Sequence, residues 1–233
     1  REAFAGEWRD EEIELIRKAV KITSIGIETA IKTVRPGVRE LDVAIEAEYA
    51  IRKAGSEVIP IMTLITSGPN AAIFERIATD RIIKQGDLVI IDMGSIVGGY
   101  LSEFARTVIV GEPTTLQKEI VKVQLEALNE AKKMLCPGIK CSEVDKKSRS
   151  VIIDRGYGKY MNRFDTGHQL GYGVHGEPAI SKDSTSLLQK NMVLNLEPKI
   201  YLFDQPDVGG VVNEYTFLIT DDGSEKITSV PYD

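Results

Sequence analysis

A short motif recurs in this chain at a distance that no solenoid unit reaches. Pro36-Gly37-Val38-Arg39 returns 101 residues later as Pro137-Gly138-Ile139-Lys140, and the helical stretch behind each copy runs out at a glycine, Gly55 and Gly156, with the same offset. Each copy leads on to short apolar runs with an acid near one end: Asp92 and Glu103 in the first half, Glu197 and Glu214 in the second. Solenoid repeats have periods of roughly 20–50 residues. A longer repeat fits a duplicated α-β half, packed about a pseudo-twofold axis, with two curved antiparallel sheets inside, helices outside and the acids converging near the axis. The expected fold class is α/β (α+β), one domain over 1–233 with halves at about 10–112 and 113–233.

Local patterns support that plan. In residues 10–34, Ile13, Ile16, Val20, Ile27, Ile31 and Val34 recur at helical spacing, Asp10, Glu11 and Glu12 sit at the positive end of the dipole, and Arg35-Pro36-Gly37 stops the helix. A second helix is expected over 40–53, and residues 58–66 are apolar and β-prone. Residues 87–92 and 100–110 read as a hairpin turning at Gly98-Gly99, with Asp92 closing one strand and Glu103 opening the next. Thr114 and Gln117 form a capping box for a helix through Leu135. Residues 192–196 and 215–220 are the matching strands of the second half.

Charge narrows the function. Lys and Arg total 29 against 35 Asp and Glu, a net charge of −6, so the chain offers no general attraction to a phosphate backbone and nucleic acid is an unexpected partner. Apolar runs fall well short of the roughly 20 residues that span a bilayer, so no membrane partner is expected. Cys136 and Cys141 lack a second Cys or His pair to complete a zinc site, which reads as a reduced, cytoplasmic protein. Only two histidines occur, His168 and His175, both in one Gly-rich stretch.

Four acids at strand ends with one imidazole nearby are the donors that a pair of hard or borderline divalent cations requires. The surrounding residues carry a resemblance. Ile91-Asp92-Met93-Gly94, Gly99-Tyr100-Leu101-Ser102-Glu103 and Arg106-Thr107, with the two acids 11 apart, resemble the signature of the pita-bread metallopeptidase superfamily of prolidase, Xaa-Pro aminopeptidase, methionine aminopeptidase and creatinase. Thr166-Gly167-His168, Gly173-Val174-His175-Gly176-Glu177-Pro178, Asn191 through Pro198, Gly209 through Glu214, and Ser67-Gly68-Pro69-Asn70 with Thr79-Asp80-Arg81 follow in the family's order.

The resemblance implies a pita-bread fold and two divalent cations, manganese, cobalt or zinc. Asp92 would chelate one ion and His168 and Glu197 the other, with Glu103 and Glu214 bridging. A bridging hydroxide would attack an amide carbonyl, with Glu197 as proton shuttle and His175 orienting the amide. It also implies a homodimer, and a separate N-terminal domain that prolidase-type members carry upstream of the point where this chain begins.

Three positions depart from the family pattern. Glu103 stands where Asp is usual, one methylene longer, which moves the carboxylate by about 1.5 Å. Glu75 stands where peptidases carry a catalytic histidine, and an ionised carboxylate cannot donate to an oxyanion. Val212 replaces an arginine beside the last ligand, removing a cation that orients an acid. The expected function is a metal-dependent hydrolase resembling Xaa-Pro dipeptidase or aminopeptidase, acting on a small peptide or small molecule, with Glu75 free to bind a substrate cation. The alternatives are a creatinase-like enzyme on a small amidino or onium compound, or an inactive scaffold that keeps the fold.

Overall fold

The computed structural model describes residues 7–161 and 165–230. Helix α1 (Asp10–Thr33) buries Ile13, Ile16, Val20 and Ile27, the stripe its periodicity predicts, and α2 (Glu40–Lys53) crosses it. Beneath them lie β1 (Leu64–Ser67), β2 (Leu88–Val97) and β3 (Tyr100–Ile109), paired antiparallel in that order. Ile16, Ile27, Ile51, Met93 and Phe104 fill the space between the helices and this sheet.

The second half begins with α3 (Thr115–Lys132), whose capping box forms: Thr114 Oγ1 accepts from Gln117 N at 3.2 Å and Gln117 Oε1 accepts from Thr114 N at 2.9 Å. Helix α4 (Cys141–Asp154) has the 14 residues of α2 at the same 101-residue offset. Each of this pair follows a lone bridge, Arg39 to Ile82 and Lys140 to Leu187, and a turn whose glycine is left-handed, Gly37 at φ +91° and Gly138 at φ +87°. The repeated Pro-Gly is thus a repeated piece of backbone geometry.

Six further strands and a terminal one complete the sheets. They are β4 (Gly167–Gln169), β5 (Gly176–Ile180), β6 (Val193–Leu196), β7 (Lys199–Tyr201), β8 (Gly210–Val212), β9 (Tyr215–Ile219) and β10 (Ser224–Lys226). A five-stranded sheet has the order β10-β9-β6-β4-β5, and β7 and β8 form a separate ribbon, all antiparallel. The end of α3 and α4 cover the five-stranded sheet through Leu128, Val144, Leu194 and Phe217. The start of α3 covers the ribbon through Ile120, Val123, Ile200 and Val211. No helix among the described residues is long and apolar enough to cross a membrane.

The structure corrects several boundaries. The strand expected over 58–66 begins only at Leu64, since Pro60 lacks the N–H a ladder needs. Helix α3 stops at Lys132 instead of running to Leu135, its last residues winding into a turn. Two sheets were expected, and the β7–β8 ribbon is a third layer element. Asp92 and Glu103 are not at strand ends: β2 continues five residues past Asp92, and β3 starts three residues before Glu103.

Candidate metal centre

The hairpin register explains the 11-residue spacing. Asp92 pairs with Ala105 and Glu103 with Gly94, so the two acids are diagonal neighbours on one face of the sheet. The second half supplies a matching row. His168 of β4 pairs with Asn195 of β6, and Asn195 with Thr216 of β9. Glu197 lies two residues beyond Asn195 and Glu214 two before Thr216, which by strand alternation puts both on the face of that row. Gly167 permits the approach, because a Cβ there would run into the Asn195 carbonyl oxygen.

Backbone and side-chain bonds lace the two faces together. Glu214 N donates to Ala105 O at 3.0 Å, and Thr107 Oγ1 donates to Val212 O at 2.7 Å. Asn195 Nδ2 donates to Glu103 O at 2.9 Å and also to Glu214 Oε1. Arg106 is fully buried between the Phe104 and Tyr215 rings, 5.1 and 4.1 Å from their centroids, and donates to the backbone carbonyls of Glu214 and Val230.

Of the five residues expected to hold metal, His168, Glu197 and Glu214 offer donor atoms within 4.8 Å of one another, and Asp92 neighbours Glu103 on the hairpin. Asp92, Glu103, His168, Glu197 and Glu214 are each no more than 7% exposed. His168 Nε2 lies 3.6 Å from Glu197 Oε1 and 3.8 Å from Glu103 Oε2, too far for hydrogen bonds and close to the roughly 3–3.5 Å that separates two ligands on one ion with bonds of about 2 Å. His168 Nδ1 faces Gln169 O at 3.3 Å, an arrangement that puts the proton on Nδ1 and leaves the Nε2 lone pair toward the acids.

Asp92 Oδ1, Glu103 Oε2, His168 Nε2, Glu197 Oε1 and Glu214 Oε2 are all buried without a hydrogen-bond partner. An unpaired buried polar atom costs roughly 1–3 kcal/mol. One such atom on each of five neighbouring residues is a poor way to stabilise a fold and a good way to bind a cation. Oxygen with a single imidazole suits a hard or borderline divalent ion, so the residues fit a metal.

Among the described residues, two groupings offer three donor atoms within 4.8 Å of one another: His168 with Glu197 and Glu214, and Glu103 with His168 and His175. His175 is exposed, its ring centroid 4.5 Å from that of His168, and its nitrogen is one of the donors of the second grouping, beyond the orienting role that the resemblance implies for it.

Charge crowding shifts the protonation of the cluster. Burial, followed by the neighbouring Glu197 and Glu75 and against Lys199, pushes the Asp92 carboxyl up to about 7. Burial and the surrounding acids hold Glu103 and Glu214 well above the usual carboxylate range. Burial also works to raise Glu197, but the Lys199 ammonium and His168 outweigh it and hold Glu197 below that range. Burial drives His168 down to about 4, so the ring is neutral at pH 7 and its nitrogen is available as a ligand.

None of the sequence motifs singles out Lys199. Its Nζ lies 2.8 Å from Glu197 Oε2 and its side chain is 5% exposed. It stands directly opposite Val212 in the β7–β8 ribbon, the position where the resemblance leads one to expect an arginine. The available signal was a charged residue heading the apolar run Ile200-Tyr201-Leu202.

Asp92, Glu103, Lys199, His175 and Glu75 open on a cleft of about 240 Å³ whose other wall is Pro60, Ile61, Met62 and Leu64. Glu75 is exposed, in a turn at φ +47°, a strained conformation for a non-glycine residue. A larger groove of about 840 Å³ runs along α3 and holds none of these acids, so donor chemistry, not volume, locates the site.

The comparisons agree with this geometry. An Xaa-Pro dipeptidase of Pyrococcus horikoshii is 38% identical over 219 residues, 94% of this chain and 61% of that protein. The structure of a prolidase from Pyrococcus furiosus superposes with a TM-score of 0.92 at 37% identity, over 97% of this chain and 66% of that one. An X-Pro aminopeptidase from Thermotoga maritima MSB8 gives 0.92 at 31% identity, over 97% of this chain and 63% of that one. The chain spans about three fifths of the length of the curated relatives it matches. The mixed α/β architecture, with curved antiparallel sheets and flanking helices, is the pita-bread fold of these proteins. The profile of metallopeptidase family M24 matches residues 14–221, and with the paired acids and His168 facing one another as described, the chain belongs to that family.

Proposed function

We propose that this protein is a divalent-metal-dependent hydrolase of small Xaa-Pro peptides or related amides. Asp92, Glu103, His168, Glu197 and Glu214 are its metal ligands, and His175, Glu197 and Glu75 its catalytic and substrate-contacting groups. The observation that carries the reading is the unpaired buried atom on each of the five ligands. Manganese, cobalt or zinc bound there supplies Lewis acidity, polarising a carbonyl and acidifying water.

Glu197, ionised beside Lys199, takes a proton from the attacking water and passes it to the leaving amine. His175, exposed at the mouth of the cleft, hydrogen-bonds the amide as charge develops. Glu75 pairs with the substrate's amino terminus, since no ion pair among the described residues claims it. That last feature also favours a second reading, a creatinase-like activity on a small amidino or onium compound.

Metal analysis of protein purified without chelator and back-titrated with manganese, cobalt and zinc tests the reading. Occupancy near saturation supports it, and less than about a tenth of an equivalent per chain overturns it. Assays of the reconstituted protein on Xaa-Pro dipeptides and on amidino or betaine-like compounds separate the two readings. Glu75→His should raise dipeptide hydrolysis if the site has drifted from peptides, and should lower it if Glu75 grips a peptide amino terminus.

A homodimer in the cytoplasm is part of the same proposal. An exposed apolar stripe on α2, Leu41, Ile45 and Tyr49 at helical spacing, supports the dimer, and light scattering on eluting protein tests it. The free thiols of Cys136 and Cys141 support a reducing compartment.

A further inference from the structure

We infer that the Lys199 ammonium takes the place of a second divalent cation, so that the centre holds one metal ion, on its His168 side, instead of two. This rests on the metal-dependent reading above and refines it.

Glu197 is divided between two cations. Its Oε2 accepts from Lys199 Nζ at 2.8 Å, while its Oε1 is turned toward His168 Nε2 and has no hydrogen-bond partner. A protonated amine has no lone pair to offer a metal, and a dication seated on the same oxygen would meet a like charge at contact distance.

The donor groupings divide the same way. Both sets of three donors include His168, and among the described residues neither includes Asp92. Asp92 lines the cleft together with Lys199, as do Glu103 and His175. The lysine is also held in place. Its backbone is fixed in β7 opposite Val212, the Phe74 ring centroid is 5.5 Å from Nζ, and its side chain is 5% exposed. A flexible surface lysine would swing out to solvent when a metal arrived, whereas this one is packed into the wall.

The work of two cations is therefore shared by one metal and one ammonium. His168 and Glu197 Oε1 would hold the metal, which would supply Lewis acidity, while Lys199 holds Glu197 Oε2 in an ion pair and lines the cleft.

Manganese titration of the full chain, read by metal analysis and by the electron paramagnetic resonance of bound Mn²⁺, tests the inference. The wild type should take up one ion per chain with an uncoupled spectrum. Lys199→Met should take up a second, with the broadened spectrum of an exchange-coupled pair, and Lys199→Arg should stay at one. Two coupled ions in the wild type overturn the inference and leave the hydrolase reading standing. One ion in both wild type and Lys199→Met also overturns it, because the lysine is then not what excludes the second. No ion in any of the proteins overturns the hydrolase reading and this inference with it. If Lys199→Met does not fold, Lys199→Ala takes its place, and the wild-type spectrum decides against the inference on its own if it is coupled.

Discussion

Asn195 joins the two halves of the site through one amide. It donates to the Glu103 carbonyl oxygen on the hairpin and to the Glu214 carboxylate beside β9, and is itself fully buried. A carboxylate held by such a donor presents its other oxygen in a fixed direction, and here that oxygen, Glu214 Oε2, is unpaired and belongs to the candidate centre. Asn195→Ala should therefore weaken manganese binding by about 10–100-fold, measured by competition with a chelating dye, without unfolding the chain. An unchanged affinity would reduce Asn195 to a structural bond between sheets. In the sequence Asn195 is only a polar interruption in Met192-Val193-Leu194-Asn195-Leu196, and Lys199 only a charge before an apolar run. A polar residue in a buried strand announces that it has a partner. The partners of Asn195 lie on other strands, and although Glu197 is only two residues from Lys199, the burial that makes their pairing matter comes from packing.

At the scale of elements, the segment carrying Glu75 is held by the first residue of α2. Glu40 is fully buried and accepts from Ser67 N and Oγ at 2.7 Å each, from Asn70 Nδ2, and from Thr79 N and Oγ1 at 3.1 and 2.6 Å. Ser67 and Thr79 are thus fastened to one carboxylate, and the turn with Glu75 is the loop between them. Glu40→Gln keeps the shape but turns an N–H₂ toward donors, and should cost about 3 kcal/mol, a fall in melting temperature of roughly 6–12 °C by calorimetry. A change within about 0.5 kcal/mol would mean that the loop is held by other contacts. The Ser67-Gly68-Pro69-Asn70 and Thr79-Asp80-Arg81 motifs were legible, but not that Glu40 joins them. The hairpin shows the same limit: the spacing of Asp92 and Glu103 was readable, while their mid-strand position required the pairing of β2 with β3.

For the whole molecule, the cluster makes stability depend on pH and metal together. In the metal-free protein Asp92 titrates near 7, and Glu103 and Glu214 lie well above the ordinary carboxylate range. The folded chain then keeps protons that the unfolded chain has lost, and stability falls as pH rises from about 4 through 7. His168, shifted down to about 4, acts in the opposite direction within this window, while Glu197, also shifted down, acts only below it, so the three raised carboxyls prevail. A bound cation displaces those protons, so metal affinity rises over the same window. Thermal melts at about pH 5 and 8, with chelator and with manganese, should show stabilisation by metal growing with pH. Stabilisation that shrinks as pH rises would contradict the crowding of charges seen here. The sequence by itself determined the main helices and the hairpin, the repeat at 101 residues, the candidate metal-binding residues and the family they resemble, because periodicity, turn residues and short spacings are local properties. Only the tertiary structure decided that Lys199 faces Val212 across the β7–β8 ribbon, that Asn195 donates to both Glu103 O and Glu214, and that Glu40 gathers Ser67, Asn70 and Thr79. Those facts belong to pairings between strands and helices distant in the chain, where burial and charge are set by packing and by no local pattern.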